Sequence, residues 1–373
     1  MNKIKIIQLL NCVGGVNIWL RLTLNIIDSE KFENIIIHGE IDTKLKFYDN
    51  KKNELKEYKI PLVRQISVLN ELKAIYKCYK IIKKEKPNII HVHSSKAGVI
   101  GRIVGRFTKT KVLYTPHAFS YLSEKNKIKR SIYLWIERIL SNGNSVLVAT
   151  SNSEKQRALI DVGYHQNNSL VFKNSISIIK SIDKLSIPKT WPDNYICTVG
   201  RPSYQKHIDL MIKIIFEIKK VQEIHLVLMG VGHHADELEN IISLIKVLDL
   251  TKNITLLNWT KREDVLNIIK NSKLYISTAR YEGLPYSVIE ALALSKPCVV
   301  SNCDGNRDLI VDNYNGYIIK NENVKIYKEK IIELLNDKEK HRLYSENSHQ
   351  SFINNYNIEK NIKELESIYI SKC

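Results

Sequence analysis

The chain has 373 residues, of which 44% are hydrophobic and 26% charged, with 14 glycines and 8 prolines. This length exceeds what one hydrophobic core usually serves, so we expect two domains, and the composition is that of an ordinary soluble globular protein. The formal net charge of +18 indicates an anionic partner. Charge alone does not identify that partner as nucleic acid, anionic lipid or a phosphorylated ligand.

The basic residues are concentrated in the first half of the chain. Residues 1–180 hold 31 Lys and Arg against 14 Asp and Glu, whereas residues 181–373 hold 26 against 25. Lysine enrichment through genome composition would raise both halves alike. We therefore favour a functional cause for the asymmetry.

The six cysteines contain no C-x-x-C pair, and most lie in apolar runs, where a thiol behaves as a small hydrophobe. This indicates a reducing compartment and argues against a disulfide framework or a zinc site. No apolar run approaches the roughly 18 residues that span a bilayer. Polar residues interrupt the segment Lys3–Leu20 and no cleavage site follows it, so we interpret it as strand, turn and helix and expect a cytoplasmic protein.

Short apolar runs alternate with amphipathic helical patterns along the whole chain. In the first half the predicted strands are Lys3–Leu10, Asn34–His38, Asn88–His93, Lys111–Thr115, Ser145–Thr150 and Ser169–Phe172. In the second half they are Tyr195–Val199, Ile224–Met229, Ile254–Leu257, Lys273–Ser277, Pro297–Ser301 and Gly316–Ile319. Several strands are apolar at consecutive positions, as in parallel sheets covered on both faces. The pattern predicts an α/β protein with two Rossmann-like, doubly wound parallel sheets.

The domain boundary follows from a segment without periodicity. Residues 176–193 contain two prolines and precede a new strand, so we expect them to link an N-terminal domain, 1–175, to a C-terminal domain, 194–355. Residues 356–373 have a helical pattern with no strand after it, and this helix could pack back on the N-terminal domain.

The first strand is followed by Gly14-Gly15. Two glycines allow a ligand to approach the backbone, and the following helix would direct its N–H groups at an anion. A tight strand-to-helix turn explains the pair equally well. The segment departs from the G-x-G-x-x-G fingerprint, and no acidic residue ends the second strand, so an NAD-dependent enzyme is disfavoured.

The second half carries a stronger pattern. Arg201 and Lys206 follow a predicted strand on one loop, where an Arg fork and a Lys charge suit a diphosphate. Glu282 and Glu290 flank Pro285, which we place at the first position of a helix whose free N–H groups would bind phosphate. A carboxylate can accept two sugar hydroxyls, so one glutamate could hold a hexose and the other a ribose. Taken singly, each of these charges is more typical of solvated surface.

In combination these motifs resemble family 4 of the retaining GT-B glycosyltransferases. The resemblance rests on Gly14-Gly15, Gly200-Arg201 with Lys206, Gly230-x-Gly232, Glu282-x7-Glu290 and Gly305 with Asn315-Gly316. Enzymes of bacterial capsule and O-antigen assembly are most similar, since they carry a segment like His91–Gly98 and a strand that ends near His117. The resemblance implies two Rossmann-like domains that face a central cleft.

The resemblance also implies roles for individual residues. It makes His117, Arg201, Lys206 and Glu282 the catalytic residues. It gives donor binding to Gly14, Gly15, Arg201, Lys206, Glu282, Gly283, Leu284, Pro285 and Glu290. Ser95 and Lys96 are the candidates for acceptor binding. No cofactor is expected, because the nucleotide-sugar is a substrate.

His91 and His93 lie on one predicted strand, and we expect them to face opposite sides, with at least one serving as scaffold. A metal site is not expected, because no pair of carboxylates accompanies them and Arg, Lys and helix dipoles would neutralise the diphosphate in this fold. The aliphatic strand faces also lack the aromatic–basic interleaving of nucleic-acid binders, so nucleic acid is not expected as a partner.

The resemblance implies transfer of a hexose or N-acetylhexosamine from a nucleotide-sugar, most simply a UDP-sugar, to a lipid-diphosphate-linked saccharide. The alternatives are a nucleotide-sugar epimerase or hydrolase on the same fold, or a non-catalytic protein that binds anionic ligands. We expect peripheral docking on the anionic inner face of the cytoplasmic membrane, with Lys125, Lys127, Lys129 and Arg130 ahead of the stripe Ile132, Trp135, Ile136 and Ile139. That stripe could instead pack on the sheet and leave only the lysines exposed.

Overall fold

The computed structural model describes residues 3–12, 14–62, 67–232 and 235–373. It consists of two compact units, of which the first is Met1–Ser177 together with Ile358–Cys373 and the second is Ile178–Asn357. Each unit has its own hydrophobic core and its own sheet.

Seven parallel strands form the sheet of the first unit. They are β1 (Ile4–Leu10), β2 (Phe32–Gly39), β3 (Glu57–Ile60), β4 (Ile89–His93), β5 (Lys111–Thr115), β6 (Ser145–Ala149) and β7 (Ser169–Val171). Their order across the sheet is β3-β2-β1-β4-β5-β6-β7. All six predicted strands are present, and the edge strand β3 was not predicted because two of its four residues are charged.

Helices cover both faces of this sheet. They are α1 (Gly14–Ile26), α2 (Val68–Glu85), α3 (Ser95–Thr108), α4 (Lys127–Ser141), α5 (Asn152–Arg157) and, from the end of the chain, α13 (Ile358–Lys372). Ile90 and Val92 of β4 join a core with residues of α2 and α3. The alternate residues His91 and His93 contact Trp19 of α1 on the other face, where His91 also bonds Tyr369 of α13.

Six parallel strands form the sheet of the second unit, as predicted. They are β8 (Ile196–Val199), β9 (Leu226–Met229), β10 (Ile254–Leu257), β11 (Tyr275–Ser277), β12 (Cys298–Ser301) and β13 (Gly316–Ile319), in the order β10-β9-β8-β11-β12-β13. The helices are α6 (Ile208–Lys219), α7 (Leu238–Val247), α8 (Arg262–Asn271), α9 (Tyr286–Ala293), α10 (Asn306–Leu309), α11 (Val324–Asn336) and α12 (Lys338–Asn355).

The central strands of both sheets are almost entirely buried, which explains their runs of consecutive apolar residues. Polar side chains that bind a ligand are therefore confined mainly to the loops at the strand ends. Within the described part of the chain, no helix has both the length and the apolar character needed to cross a bilayer.

Candidate functional site

In both units the predicted site residues follow strands at which the strand order reverses. In the first sheet β1 lies beside β4, and in the second β8 lies beside β11. In open parallel sheets, ligands bind beyond the carboxyl ends of the strands at such a switch point. The loops after β8 and β11 carry the residues from Gly200 to Lys206 and from Arg280 to Pro285, so the fold brings these two motifs to one edge.

Lys206 and Glu282 form the central ion pair of the second unit. Lys206 Nζ lies 2.7 Å from Glu282 Oε1, and Gln205 Nε2 donates to Glu282 Oε2 at 3.2 Å. The alkyl stem of Lys206 runs along Gly200, where an added Cβ would lie 3.1 Å from it. Because Glu282 is only 8% exposed, its charge needs this partner.

The loop that carries Glu282 leads directly into α9. Pro285 is the N-cap of this helix, with extended backbone, and Tyr286 is the first helical residue. Our placement of Pro285 at the first helical position was wrong by one residue, since Pro285 already accepts the bonds from Val288 N and Ile289 N. The first N–H groups of a helix have no acceptor within the helix, and here they belong to residues around Tyr286, where they still suit an anion.

Gly305 supports this loop from the end of β12. Its φ is +77°, and an added Cβ would lie 2.6 Å from Gly283 O and 3.1 Å from Leu284 Cα. The backbone of the sugar-binding candidates thus rests directly against a glycine that has no room for a side chain.

Glu290 lies one turn before the end of α9 and is 6% exposed. Arg262 of α8 approaches its Oε1 with Nε at 3.0 Å and Nη2 at 2.9 Å. Burial raises the pKa of Glu290, and Arg262 opposes that shift. Glu282 and Glu290 are therefore both buried carboxylates that are each held by a cation.

Arg201 is partly exposed directly after Gly200, at the start of the loop that ends in Lys206. Lys206 and Glu282 contact each other, whereas Glu290 forms a separate pair with Arg262. Sequence reasoning missed Gln205 and Arg262. Gln205 was recognisable only by its place between Arg201 and Lys206, and nothing in the sequence linked Arg262 to Glu290 across 28 positions.

In the first unit, the candidates follow β1, β4 and β5, which are neighbours in the sheet. Gly14 and Gly15 are exposed and begin α1, with φ of +54° at Gly14. Ser95 and Lys96 begin α3, where Ser95 Oγ accepts from Ser120 N at 3.3 Å and Lys96 Nζ pairs with Glu71 Oε1 at 2.6 Å.

His117 follows β5 in a left-handed backbone conformation, with φ of +53°. Its Nε2 lies 3.2 Å from Nδ1 of His93. Burial of the imidazole lowers the pKa of His117 to about 3, so the ring is neutral at physiological pH.

Our expectation that His91 and His93 face opposite sides was wrong. Side chains of a strand alternate, so residues two positions apart share a face. Their ring centroids are 4.2 Å apart, and Trp19 lies against both rings. Burial lowers the pKa of His91 to about 3 and the pKa of His93 well below its usual value.

The comparison with known families agrees with this geometry. Residues 13–178 match the model of Glycosyltransferase Family 4, and residues 180–351 match the model of glycosyl transferases group 1. The chain belongs to the family 4 glycosyltransferases. The two matched domains correspond to the two parallel-sheet units, each in its own part of the chain.

Relatives of this glycosyltransferase are similar over most of its length. The UDP-Gal:alpha-D-GlcNAc-diphosphoundecaprenol alpha-1,3-galactosyltransferase of Escherichia coli is 27% identical over 384 residues, covering 99% of this chain and 97% of the relative. The capsular polysaccharide biosynthesis glycosyltransferase CapM of Staphylococcus aureus is 28% identical, over 74% of this chain and 73% of the relative. A sucrose-phosphate synthase structure from Thermosynechococcus elongatus superposes with a TM-score of 0.83 at 14% identity, covering 99% of both chains. The predicted GT-B fold is confirmed.

Gly305→Ala tests whether the contact with Gly283 shapes the loop from Glu282 to Pro285, the candidate donor site of this glycosyltransferase. The new Cβ would have to displace the loop, so we expect nucleotide-sugar binding to weaken at least tenfold by calorimetry. Gly163→Ala is the matched control, because Gly163 has φ of +87° and open space around its Cβ position. Both variants should lose about 1 kcal/mol of stability through backbone strain, and Gly305→Ala should lose more because its Cβ clashes with Gly283 O. Equal donor affinity in the two variants would show that the contact has no influence on the loop.

The buried histidines predict that acid destabilises the first unit. His91, His93 and His117 stay neutral in the folded protein, whereas the unfolded chain protonates all three below the ordinary histidine pKa near 6.5. The stabilisation is thus complete above pH 6.5 and is lost as the pH falls, by about 1.4 kcal/mol per histidine and pH unit. Urea unfolding at pH 7.5 and pH 5.5 should differ by roughly 4 kcal/mol.

The variant His91→Gln should reduce this pH dependence by about a third, because one of the three neutral rings no longer titrates. His165→Gln is the control, since His165 is exposed and lies outside this cluster. Equal stability of the wild type at the two pH values would contradict the burial of neutral imidazoles.

Proposed function

We propose that this glycosyltransferase moves a hexose or N-acetylhexosamine from a UDP-sugar to a lipid-diphosphate-linked saccharide during synthesis of a bacterial surface polysaccharide. The observation that carries the proposal is the pairing of Lys206 with buried Glu282 beside the start of α9. This arrangement offers a cation and backbone N–H groups to a diphosphate, and a carboxylate to sugar hydroxyls, within one loop cluster.

The donor roles proposed are those that the family resemblance implies, and these contacts support part of them. Arg201 and Lys206 neutralise the departing diphosphate, and Glu282 with Gly283, Leu284 and Pro285 holds the transferred sugar. Glu290 accepts the ribose hydroxyls. When the donor binds, Lys206 exchanges Glu282 for a phosphate oxygen, which leaves the carboxylate for the sugar. Gly14 and Gly15 approach the donor phosphates, and His117 hydrogen-bonds the sugar.

The choice of donor and acceptor class is supported by the E. coli relative, whose name gives UDP-galactose, a diphosphoundecaprenol-linked GlcNAc and an α linkage. We propose that the product here is also α-linked and that the configuration of the donor sugar is retained. Ser95 and Lys96 remain the acceptor-binding candidates, and Lys96 would have to exchange its pairing with Glu71 for an acceptor group.

The mechanism proposed is electrostatic. Lys206, Arg201 and the α9 N–H groups stabilise charge on the leaving diphosphate as the acceptor hydroxyl attacks. The described residues contain no group of three or more His, Cys, Asp and Glu placed to hold a metal ion. We propose metal-independent transfer, so activity should persist in excess EDTA, and a requirement for added manganese would contradict it.

A transfer assay tests the function. Labelled UDP-galactose, UDP-glucose and their N-acetylated counterparts are each incubated with a lipid-diphosphate-linked saccharide, and the lipid fraction is analysed for an α-linked product. We expect one donor to label the lipid. Release of free sugar without lipid label would indicate a hydrolase, and a changed donor sugar without transfer would indicate an epimerase. Binding without any reaction would indicate a non-catalytic protein.

The two glutamates should separate in ligand binding. Glu290→Gln should weaken free UDP and UDP-sugar equally, because both ligands contain the ribose. Glu282→Gln should lower the affinity for the UDP-sugar about tenfold or more and change the affinity for free UDP little. The charge-assisted hydrogen bond that the variant loses is made to the sugar, which free UDP lacks. Calorimetry with both ligands measures this. An equal loss for both ligands in both variants would refute the division of roles.

We propose that the first unit docks on the anionic inner face of the cytoplasmic membrane through α4. The helix buries Glu137, which pairs with Arg102 Nη2 at 2.8 Å and accepts from Tyr114 Oη at 3.0 Å. Three residues of its apolar stripe face outward instead, since Ile132, Trp135 and Ile139 are 44% to 61% exposed, and Ile128 at the helix start is 73% exposed. Ile136 is half-buried. The alternative that the stripe packs on the sheet is therefore wrong for Ile132, Trp135 and Ile139.

The surroundings of the stripe match an anionic bilayer. Exposed Lys125, Lys127, Lys129 and Arg130 occupy the start of α4. Helix α2, which packs with α3 in the same layer, exposes Leu69, Leu72 and Tyr76 together with several lysines. Apolar side chains that enter the headgroup region beside cations that bind anionic lipid are the pattern of a peripheral amphipathic helix.

Vesicle cosedimentation tests the docking. Wild-type protein should bind phosphatidylglycerol vesicles and hardly bind neutral ones, and binding should weaken steeply with salt. The double variant Ile132→Ser, Trp135→Ser should reduce binding at least tenfold, because it removes apolar insertion. The control Val247→Ser, Leu343→Ser changes two exposed apolar residues of the second unit and should bind as wild type. Failure of the wild-type protein to bind anionic vesicles at low salt would contradict the proposal.

A further inference from the structure

A chain of buried polar side chains connects His117 to the last helix of the protein. It runs from Thr115 through His91, Tyr369, Gln8 and His93 to His117, with each step a hydrogen bond of 2.8 to 3.2 Å. Apart from His117 all of these residues are at most 1% exposed, and they come from β1, β4, β5 and α13. The residues therefore determine one another's proton positions.

The direction in which these hydrogen bonds are donated is set at Thr115. Thr115 Oγ1 donates its only proton to the carbonyl of Val148 at 2.8 Å. It must therefore accept from His91 Nε2, which lies 2.9 Å away. A neutral imidazole carries one proton, so His91 Nδ1 is an acceptor. The Tyr369 hydroxyl donates a hydrogen bond to it at 2.8 Å.

Gln8 connects Tyr369 to His93. Because the Tyr369 hydroxyl donates its proton in the hydrogen bond to His91, it accepts a hydrogen bond from Gln8 Nε2 at 3.1 Å. Gln8 Nε2 also donates to Asn34 Oδ1 at 3.0 Å. The orientation of the Gln8 amide is thereby fixed. Gln8 Oε1 lies 2.9 Å from His93 Nε2 and must accept a hydrogen bond from it.

The last step reaches the candidate site. Because His93 Nε2 carries its proton, His93 Nδ1 is an acceptor and His117 Nε2 donates to it at 3.2 Å. His117 Nδ1 is then unprotonated. Among the described residues, Nδ1 of His117 has no hydrogen-bond partner.

We propose that Tyr369 and Gln8 are positioning residues that act through His93 to hold His117 as the Nε2–H tautomer, so that its Nδ1 accepts a hydrogen bond from a sugar hydroxyl. A ring fixed in this way selects a donor group on the ligand and rejects an acceptor or an anion at that position. The part that concerns the sugar rests on the proposed function, whereas the tautomers are a property of the protein alone.

The tautomers can be measured without substrate. In protein labelled with ¹⁵N-histidine at pH 7, the two ring nitrogens of a neutral imidazole give separate signals. We expect His91, His93 and His117, assigned by single His→Gln substitutions, to be protonated at Nε2 only. A proton on Nδ1 of His117, or a cationic ring, would overturn the proposal even if the protein proves to be an active transferase.

Tyr369→Phe tests the remote control of His117. It removes one of the two acceptors that orient the Gln8 amide, the other being Asn34 Oδ1, and a lost hydrogen bond of this kind changes an equilibrium by about tenfold. The Nδ1–H tautomer of His117 should rise from a minor form to a comparable fraction. The rate constant kcat/KM should fall about two- to threefold as the competent tautomer is depleted.

Tyr121→Phe is the matched control. Tyr121 is equally buried in the same unit, but its hydroxyl donates to Asp161 at 2.9 Å and does not touch the histidines. It should lower the Tm to a similar extent and leave the His117 signals and kcat/KM unchanged. If Tyr369→Phe also lowers only the Tm, Tyr369 has a structural role and the positioning proposal fails. If the tautomer shifts without any change in kcat/KM, only the link to sugar binding fails.

Discussion

Burial of both faces of a parallel sheet is the constraint on which the rest of this structure depends. It leaves the strand interiors to apolar residues and confines ligand-binding groups to the carboxyl edge, where β8 and β11 separate in the second unit and β1 and β4 in the first. The positions of Lys206, Glu282 and His117 all follow from it. Their local chemistry then depends on what each loop places beside them.

The polar groups at these edges are stabilised in two ways. In the second unit, buried carboxylates are each paired with a cation that is partly accessible, as in Lys206–Glu282 and Arg262–Glu290. Such pairs keep the charges satisfied without ligand, and in the proposed function a diphosphate sugar takes over both halves of the Lys206–Glu282 pair. In the first unit, histidines are held without ion pairs, by hydrogen bonds and by packing against Trp19, which fixes their orientation.

The sequence predicted the features that depend on local pattern. Apolar runs revealed twelve of the thirteen strands, and the loops that carry Arg201, Lys206 and Glu282, which the motifs singled out, lie at one edge of the second sheet. The features that depend on tertiary packing were missed. The buried Glu137 turns the apolar side of α4 outward because Arg102 binds it. Arg262 and Tyr369 reach their partners across 28 and 278 positions respectively. The error at His91 and His93 was different in kind, because the strand period alone places them on one face.

The proposed transfer depends above all on the release of Glu282 by Lys206 when the donor binds. A crystal structure with bound UDP tests it most directly. We expect Lys206 Nζ within about 3 Å of a phosphate oxygen, Glu282 free of Lys206, and the ribose hydroxyls on Glu290. A nucleotide bound elsewhere, or bound with the Lys206–Glu282 pair intact and its phosphates untouched by Lys206, would contradict the account.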